Sequence, residues 1–128
     1  MSRPLAPELF ASLDPLSLAG SRCPACATVQ FPPAPQCAHC AADGPAPIAL
    51  PTSGRIWTWT VQRFAPKAPY VSPASGFVPY PVGYVDLGEV LVETLLQVGD
   101  RSPAIGDEVH LRRAPVGTGE HFTYAFGA

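Results

Sequence analysis

The sequence predicts a mainly β protein, with a short helix and a cysteine-rich arm leading into a five-stranded barrel. Three observations carry this. Four cysteines form two C-x-x-C pairs, Cys23 with Cys26 and Cys37 with Cys40. Ten of the 17 prolines lie in the first 51 positions, where they leave little room for helix or sheet interior. From Ser53 onward the texture changes to short runs of β-branched and aromatic residues separated by turn residues.

The elements follow in order. Pro7 to Leu18 reads as a short helix and then an extended piece. Glu8, Leu9, Phe10 and Leu13 give the amphipathic pattern, and Asp14-Pro15 ends it. Ala41 to Pro51 reads as a linker rich in Pro, Ala and Gly, so the expected division is 1–51 and 52–128. Arg55 to Arg63 (RIWTWTVQR) is a strand. Simple alternation puts Trp57, Trp59 and Val61 on one face and Ile56, Thr58 and Thr60 on the other. Phe64 to Pro81 is a long loop with five prolines. VGYVDL and VLVETLLQV are strands joined tightly at Gly88-Glu89. Pro103 to Asp107 is a turn or short helical piece, EVHLRR a fourth strand, GTGE a turn and HFTYAF a fifth strand. Five short antiparallel strands, with a long loop after the first, are the layout of an OB-fold barrel.

The cysteines carry the clearest chemistry. Each C-x-x-C turn aims two sulfurs at one centre, and two such turns give four thiolates in a tetrahedron, the preference of Zn²⁺. A bound ion folds a segment too rich in proline to hold itself. The expected cofactor is structural zinc on Cys23, Cys26, Cys37 and Cys40. A rubredoxin-like iron site for electron transfer uses similar turns, but the strands downstream offer no redox partner. His39, inside the second turn, is a bystander in this reading. His110 and His121 read as strand residues.

The remaining chain holds no nucleophile–base motif, P-loop or dinucleotide fingerprint. No catalytic residue is expected. The net charge is −2 and no basic run occurs, which disfavours nucleic acid. A single-stranded nucleic-acid module using Trp57 and Trp59 as stacking platforms remains the alternative. No apolar run is long enough to span a bilayer, and the first residues lack a basic segment followed by an apolar stretch. A cytoplasmic protein is expected. Charged residues make up only 14%, which points to a surface covered by a protein partner. The long loop has two readings. It either folds over one mouth of the barrel or presents Tyr70, Phe77 and Tyr80 to a partner. In the second reading Arg63 and Lys67 are cations for an anionic ligand.

These pieces together resemble the DUF35 family of zinc-ribbon and OB-fold proteins. The resemblance rests on C-P-A-C (Cys23–Cys26), F-P-P (Phe31–Pro33), C-A-H-C (Cys37–Cys40), S-G-R-I-W-T-W-T-V (Ser53–Val61), P-Y-P-V-G-Y-V-D-L (Pro79–Leu87) and I-G-D-E-V (Ile105–Val109), in that order. It implies an N-terminal helix, a zinc ribbon and an OB-fold in a non-catalytic subunit of a thiolase-like enzyme acting on coenzyme A thioesters. The subunit would stabilise its partner and line the CoA entrance, with Arg63 and Lys67 on the CoA phosphates. The loop looks most similar to the small subunit of a benzylsuccinate-pathway thiolase. One departure stands out. The family commonly has glycine after the second cysteine of each pair, and this chain has Ala27 and Ala41.

Overall fold

The computed structural model describes residues 3–67, 76–116 and 119–128. The chain begins with β1 (Arg3–Pro4), a single 3-10 turn (Pro7–Leu9), β2 (Phe10–Leu13) and β3 (Leu16–Arg22). The predicted N-terminal helix is therefore absent among the described residues. The stretch between Pro7 and Pro15 is too short to repay helix nucleation. The proline after Asp14 also disfavours the helical region there. Instead β2 turns back on β3 as a hairpin pairing Phe10 with Leu18 and Leu13 with Leu16. This seats Leu18 in the core with no exposure.

Strand β3 organises the arm. It pairs with β4 (Val29–Gln30) through Ser21 and Arg22. It also pairs with β5 (Ala46–Ala49), from Ala19 opposite Ala49 to Arg22 opposite Ala46. The segment expected to be a linker thus contains a strand. Its prolines are tolerated because β5 pairs on one side only.

The barrel consists of β6 (Ser53–Gln62), β7 (Tyr80–Asp86), β8 (Leu91–Gln97), β9 (Glu108–Val116) and β10 (His121–Gly127). Its strand order is β10-β8-β7-β6-β9, closed by β9 pairing with β10. The β8–β10 pair is parallel, with Leu95 opposite Ala125, and the other barrel pairs are antiparallel. This is the five-stranded Greek-key closure of an OB-fold.

One expectation within β6 fails. Ile56 faces Val85 and Thr58 faces Tyr84, so Trp57 is an extra residue in a bulge. The bulge breaks the alternation. Ile56 is buried and Trp59 packs against the same core, whereas Trp57 is 54% exposed. The two tryptophans therefore do not share a face. Trp57 meets Tyr84 edge to face, with centroids 6.3 Å apart.

The core crosses the boundary between arm and barrel. Leu18, Val29 and Leu50 form one buried cluster with Ile56, Val85, Leu87, Val92, Leu96, Val109 and Phe126. Gly83 lets β6 and β7 approach, since a Cβ there would run into the Thr58 carbonyl oxygen. Arg112 and Arg113 diverge, as neighbours on a strand must. Arg112 donates to the Ala128 carbonyl, while Arg113 donates to the Leu13 carbonyl and lies over the Phe122 ring.

Candidate metal centre

The two cysteine turns are built alike. In the first, the Cys23 amide donates to the Thr28 carbonyl and the Ala27 amide to the Cys23 carbonyl, both at 2.9 Å. In the second, the Cys37 amide donates to the Ala42 carbonyl at 2.9 Å and the Ala41 amide to the Cys37 carbonyl at 2.8 Å. Each turn closes through a residue in the left-handed region, Ala27 at φ 64° and Ala41 at φ 65°. The alanines adopt the conformation that glycine takes without a Cβ penalty. The departure in sequence leaves the turn geometry intact.

The turns bring the four sulfurs within 4.8 Å of one another. Cys23 and Cys40 sulfurs are 3.5 Å apart, and those of Cys26 and Cys37 are 3.6 Å apart. Four bonds of about 2.3 Å to a central zinc ion would set sulfurs about 3.8 Å apart. These separations lie around that value, so the donor set fits zinc. Backbone amides support the sulfurs. Ala25 donates to Cys23, and His39 and Cys40 donate to Cys37, at 3.4–3.5 Å.

The electrostatics also call for a cation. The Thr28 hydroxyl, 3.1 Å from the Cys26 sulfur, and the Thr28 amide hold that thiol far below its usual range, at about 5. The His39 side chain helps in the same direction. Cys23 is also lowered, first by the Cys26 amide. At Cys40 the Ala42 amide lowers the value most strongly. Hydrogen bonding to the Cys23 and Cys26 sulfurs and desolvation outweigh it and push the thiol up to about 12. Four clustered sulfurs cannot all shed their protons until a divalent ion takes the charge.

Exposure is uneven. Cys23 is 1% exposed and Cys37 3%, Cys26 is half-buried, and Cys40 is exposed. Two side chains also accept from backbone amides of the segment 34–38. Gln30 Oε1 accepts from the Ala38 amide at 3.1 Å, and Ser21 Oγ accepts from the Ala34 amide at 3.3 Å. The Thr28 contact was not singled out from sequence. A threonine two residues after the second cysteine was the signal that could have found it.

The remaining site candidates lie elsewhere. His110 is exposed and His121 half-buried, and neither joins a ligand cluster among the described residues. Arg63 and Lys67 are exposed at the start of the long loop. Phe77 and Tyr80 are half-buried at its end and meet edge to face, centroids 5.9 Å apart. Tyr70 lies outside the described residues. Tyr80 and Pro66 line an open groove of about 380 Å³ with Gln62, Glu93 and Tyr124. The Tyr124 hydroxyl donates to the Glu93 carbonyl at 2.7 Å, and Tyr84 donates to the Glu93 carboxylate at 3.0 Å. Among the described residues no helix is long and apolar enough to cross a membrane.

A closed four-cysteine centre on a ribbon, joined to an OB-fold barrel, defines a zinc-ribbon OB-fold protein. Comparison with known families gives the same answer. The rubredoxin-like zinc ribbon domain of ChsH2 matches residues 10–46, and the C-terminal OB-fold domain of ChsH2 matches residues 47–113. The chain belongs to the ChsH2 family, a DUF35 family. It is similar in fold to a chain of the solved structure titled Ltp2-ChsH2(DUF35) aldolase. The TM-score is 0.68 and the identity 24%, over 98% of each chain. No curated protein sequence matches.

Proposed function

We propose that this chain is a non-catalytic accessory subunit of a thiolase-like enzyme complex that makes or breaks carbon–carbon bonds on coenzyme A thioesters. The observation that carries this reading is the end-to-end likeness to the ChsH2 chain of an aldolase complex, with ribbon and barrel in the same order. All four cysteines lie in the metal cluster, so none is left as a nucleophile. The zinc folds the arm, residues 1–51, and the barrel, residues 52–128, carries the long loop.

In this reading Arg63 and Lys67 meet the phosphates of coenzyme A at an entrance shared with the partner. Tyr70, Phe77 and Tyr80 form the contact with the partner. Exposure of both cations beside an open groove supports that assignment. The partner supplies the reacting groups and sets the acyl substrate.

The test is co-expression with a thiolase-like protein from the same genome. A stable complex on size exclusion, with turnover that falls when this chain is omitted, supports the reading. Full turnover by the partner alone overturns it. Within an active complex, replacing Arg63 and Lys67 with glutamate should raise KM for the CoA thioester while leaving kcat nearly unchanged.

A further inference from the structure

We propose that Cys40 is the sulfur through which peroxides and soft electrophiles attack the metal centre, and that Cys23 resolves the attack as a disulfide. The inference rests on the asymmetry of the four sulfurs. Cys40 is exposed, and so are Ala38, His39 and Ala41 around it. Cys23 and Cys37 are sealed at 1% and 3% exposure, so an oxidant in solution does not reach them first.

Hydrogen bonding separates the two remaining sulfurs. A donor aimed at a thiolate stabilises its charge and lowers its reactivity toward electrophiles. Cys26 lies 3.1 Å from the Thr28 hydroxyl. The pseudo-symmetric position after Cys40 is Ala42, which has no hydroxyl to offer. Cys40 is thus the most exposed of the four residues and, of the two that are not buried, the one whose own turn offers its sulfur a backbone amide but no hydroxyl.

The chemistry needs one peroxide. The Cys40 thiolate attacks a peroxide oxygen, an S–O bond forms, the O–O bond breaks, and hydroxide leaves. The Cys23 thiolate, 3.5 Å away, then attacks the Cys40 sulfur. The S–S bond forms, the S–O bond breaks, and a second hydroxide leaves. Two thiolates have given two electrons to one peroxide. A zinc ion that loses two of four ligands leaves the site. The disulfide joins the two turns to each other, unlike the pairing within a C-x-x-C turn.

The experiment treats the zinc-loaded full-length chain with one equivalent of hydrogen peroxide. A chromogenic chelator follows zinc release, and peptide mapping after thiol blocking follows the disulfide. The expected result is a Cys23–Cys40 disulfide as the first product, with one zinc released per peroxide consumed. One equivalent of N-ethylmaleimide should label Cys40 severalfold more than any other cysteine. Thr28→Val should raise the share of label on Cys26 severalfold without changing the fold. First formation of Cys23–Cys26 or Cys37–Cys40, even labelling of the four thiols, or loss of zinc only at the rate of global unfolding would each overturn the proposal.

Discussion

Arg22 and Glu89 form a two-pronged ion pair that ties the ribbon to the barrel. Nη1 lies 2.7 Å from Oε2 and Nη2 lies 2.8 Å from Oε1. Arg22 ends β3, next to Cys23, and Glu89 sits in the turn between β7 and β8. The planar fork matches the carboxylate along both N–H directions. The hydrogen bond from Arg22 holds the Glu89 carboxyl below its usual value. A depressed carboxyl contributes stability above its ordinary range near pH 4.5 and loses it as pH falls through the folded value. Glu89→Gln should therefore be less stable than the parent at pH 7 and equal to it near pH 3. Because the pair is exposed, the difference should be small and shrink in high salt. Thermal melts at two pH values and two salt concentrations check this.

Ala27 and Ala41 hold positive φ where glycine would pay no Cβ penalty. Replacing either with glycine should stabilise the zinc-loaded protein by about 0.5–1 kcal/mol, after the entropy gained by the unfolded chain is subtracted. The two changes should add, because each acts within its own turn. Urea unfolding of the single and double variants measures it.

Gly83 pairs with Trp59 across β6 and β7, with the Thr58 carbonyl where a Cβ would go. Gly83→Ala forces a methyl group onto the Thr58 carbonyl, and backbone cannot swing aside as a side chain can. A loss of about 2–3 kcal/mol is expected. Gly44→Ala is a useful contrast, since its Cβ would meet no atom within 4 Å but its φ is 69°. It should cost only about 1 kcal/mol, from the backbone alone.

Zinc removal should loosen more than the arm. Leu18, Val29 and Leu50 belong to the barrel's own core cluster, so metal binding energy is folding energy for both. Chelation should first expose amides of β3 to β5 to hydrogen exchange and then lower the melting temperature of the whole chain. Reloading should release protons at neutral pH, at least the one held by Cys40. Zinc affinity should therefore rise with pH, as competition against a chelator at pH 6, 7 and 8 will show.

Tyr124 should be the late-titrating phenol. Burial, and then the Glu93 charge, push it up to about 12. A raised phenol favours the folded state while protonated. That contribution is complete below the ordinary value near 10 and is lost as pH climbs toward 12. Ultraviolet titration should show one tyrosine ionising near 12, and Tyr124→Phe should remove that step.

Much of the molecule was legible in the sequence. The cysteine turns announce themselves by spacing alone, because the chemistry of a tetrahedral ion fixes it. The five barrel strands follow from β-branched runs broken by glycine turns. The errors have a shared cause. Glu8, Leu9, Phe10 and Leu13 suit a helix face, but tertiary pairing of Phe10 with Leu18 decides for a strand. Ala46 to Ala49 has the composition of a linker and becomes a strand because β3 offers it a partner. Strict alternation in β6 missed a bulge that depends on how β7 pairs with it. Local pattern reports local preference, and these three features are settled by pairing with other strands.

The bulge at Trp57 also equips the protein with two separate optical reporters. Trp59 emits from beside the hydrophobic interior, and Trp57 from water at the surface next to Tyr84. A soluble quencher such as iodide will quench Trp57 more strongly than the half-buried Trp59. One emission spectrum thus holds a blue component that follows the integrity of the barrel and a red component that follows whatever comes to lie against its outer wall.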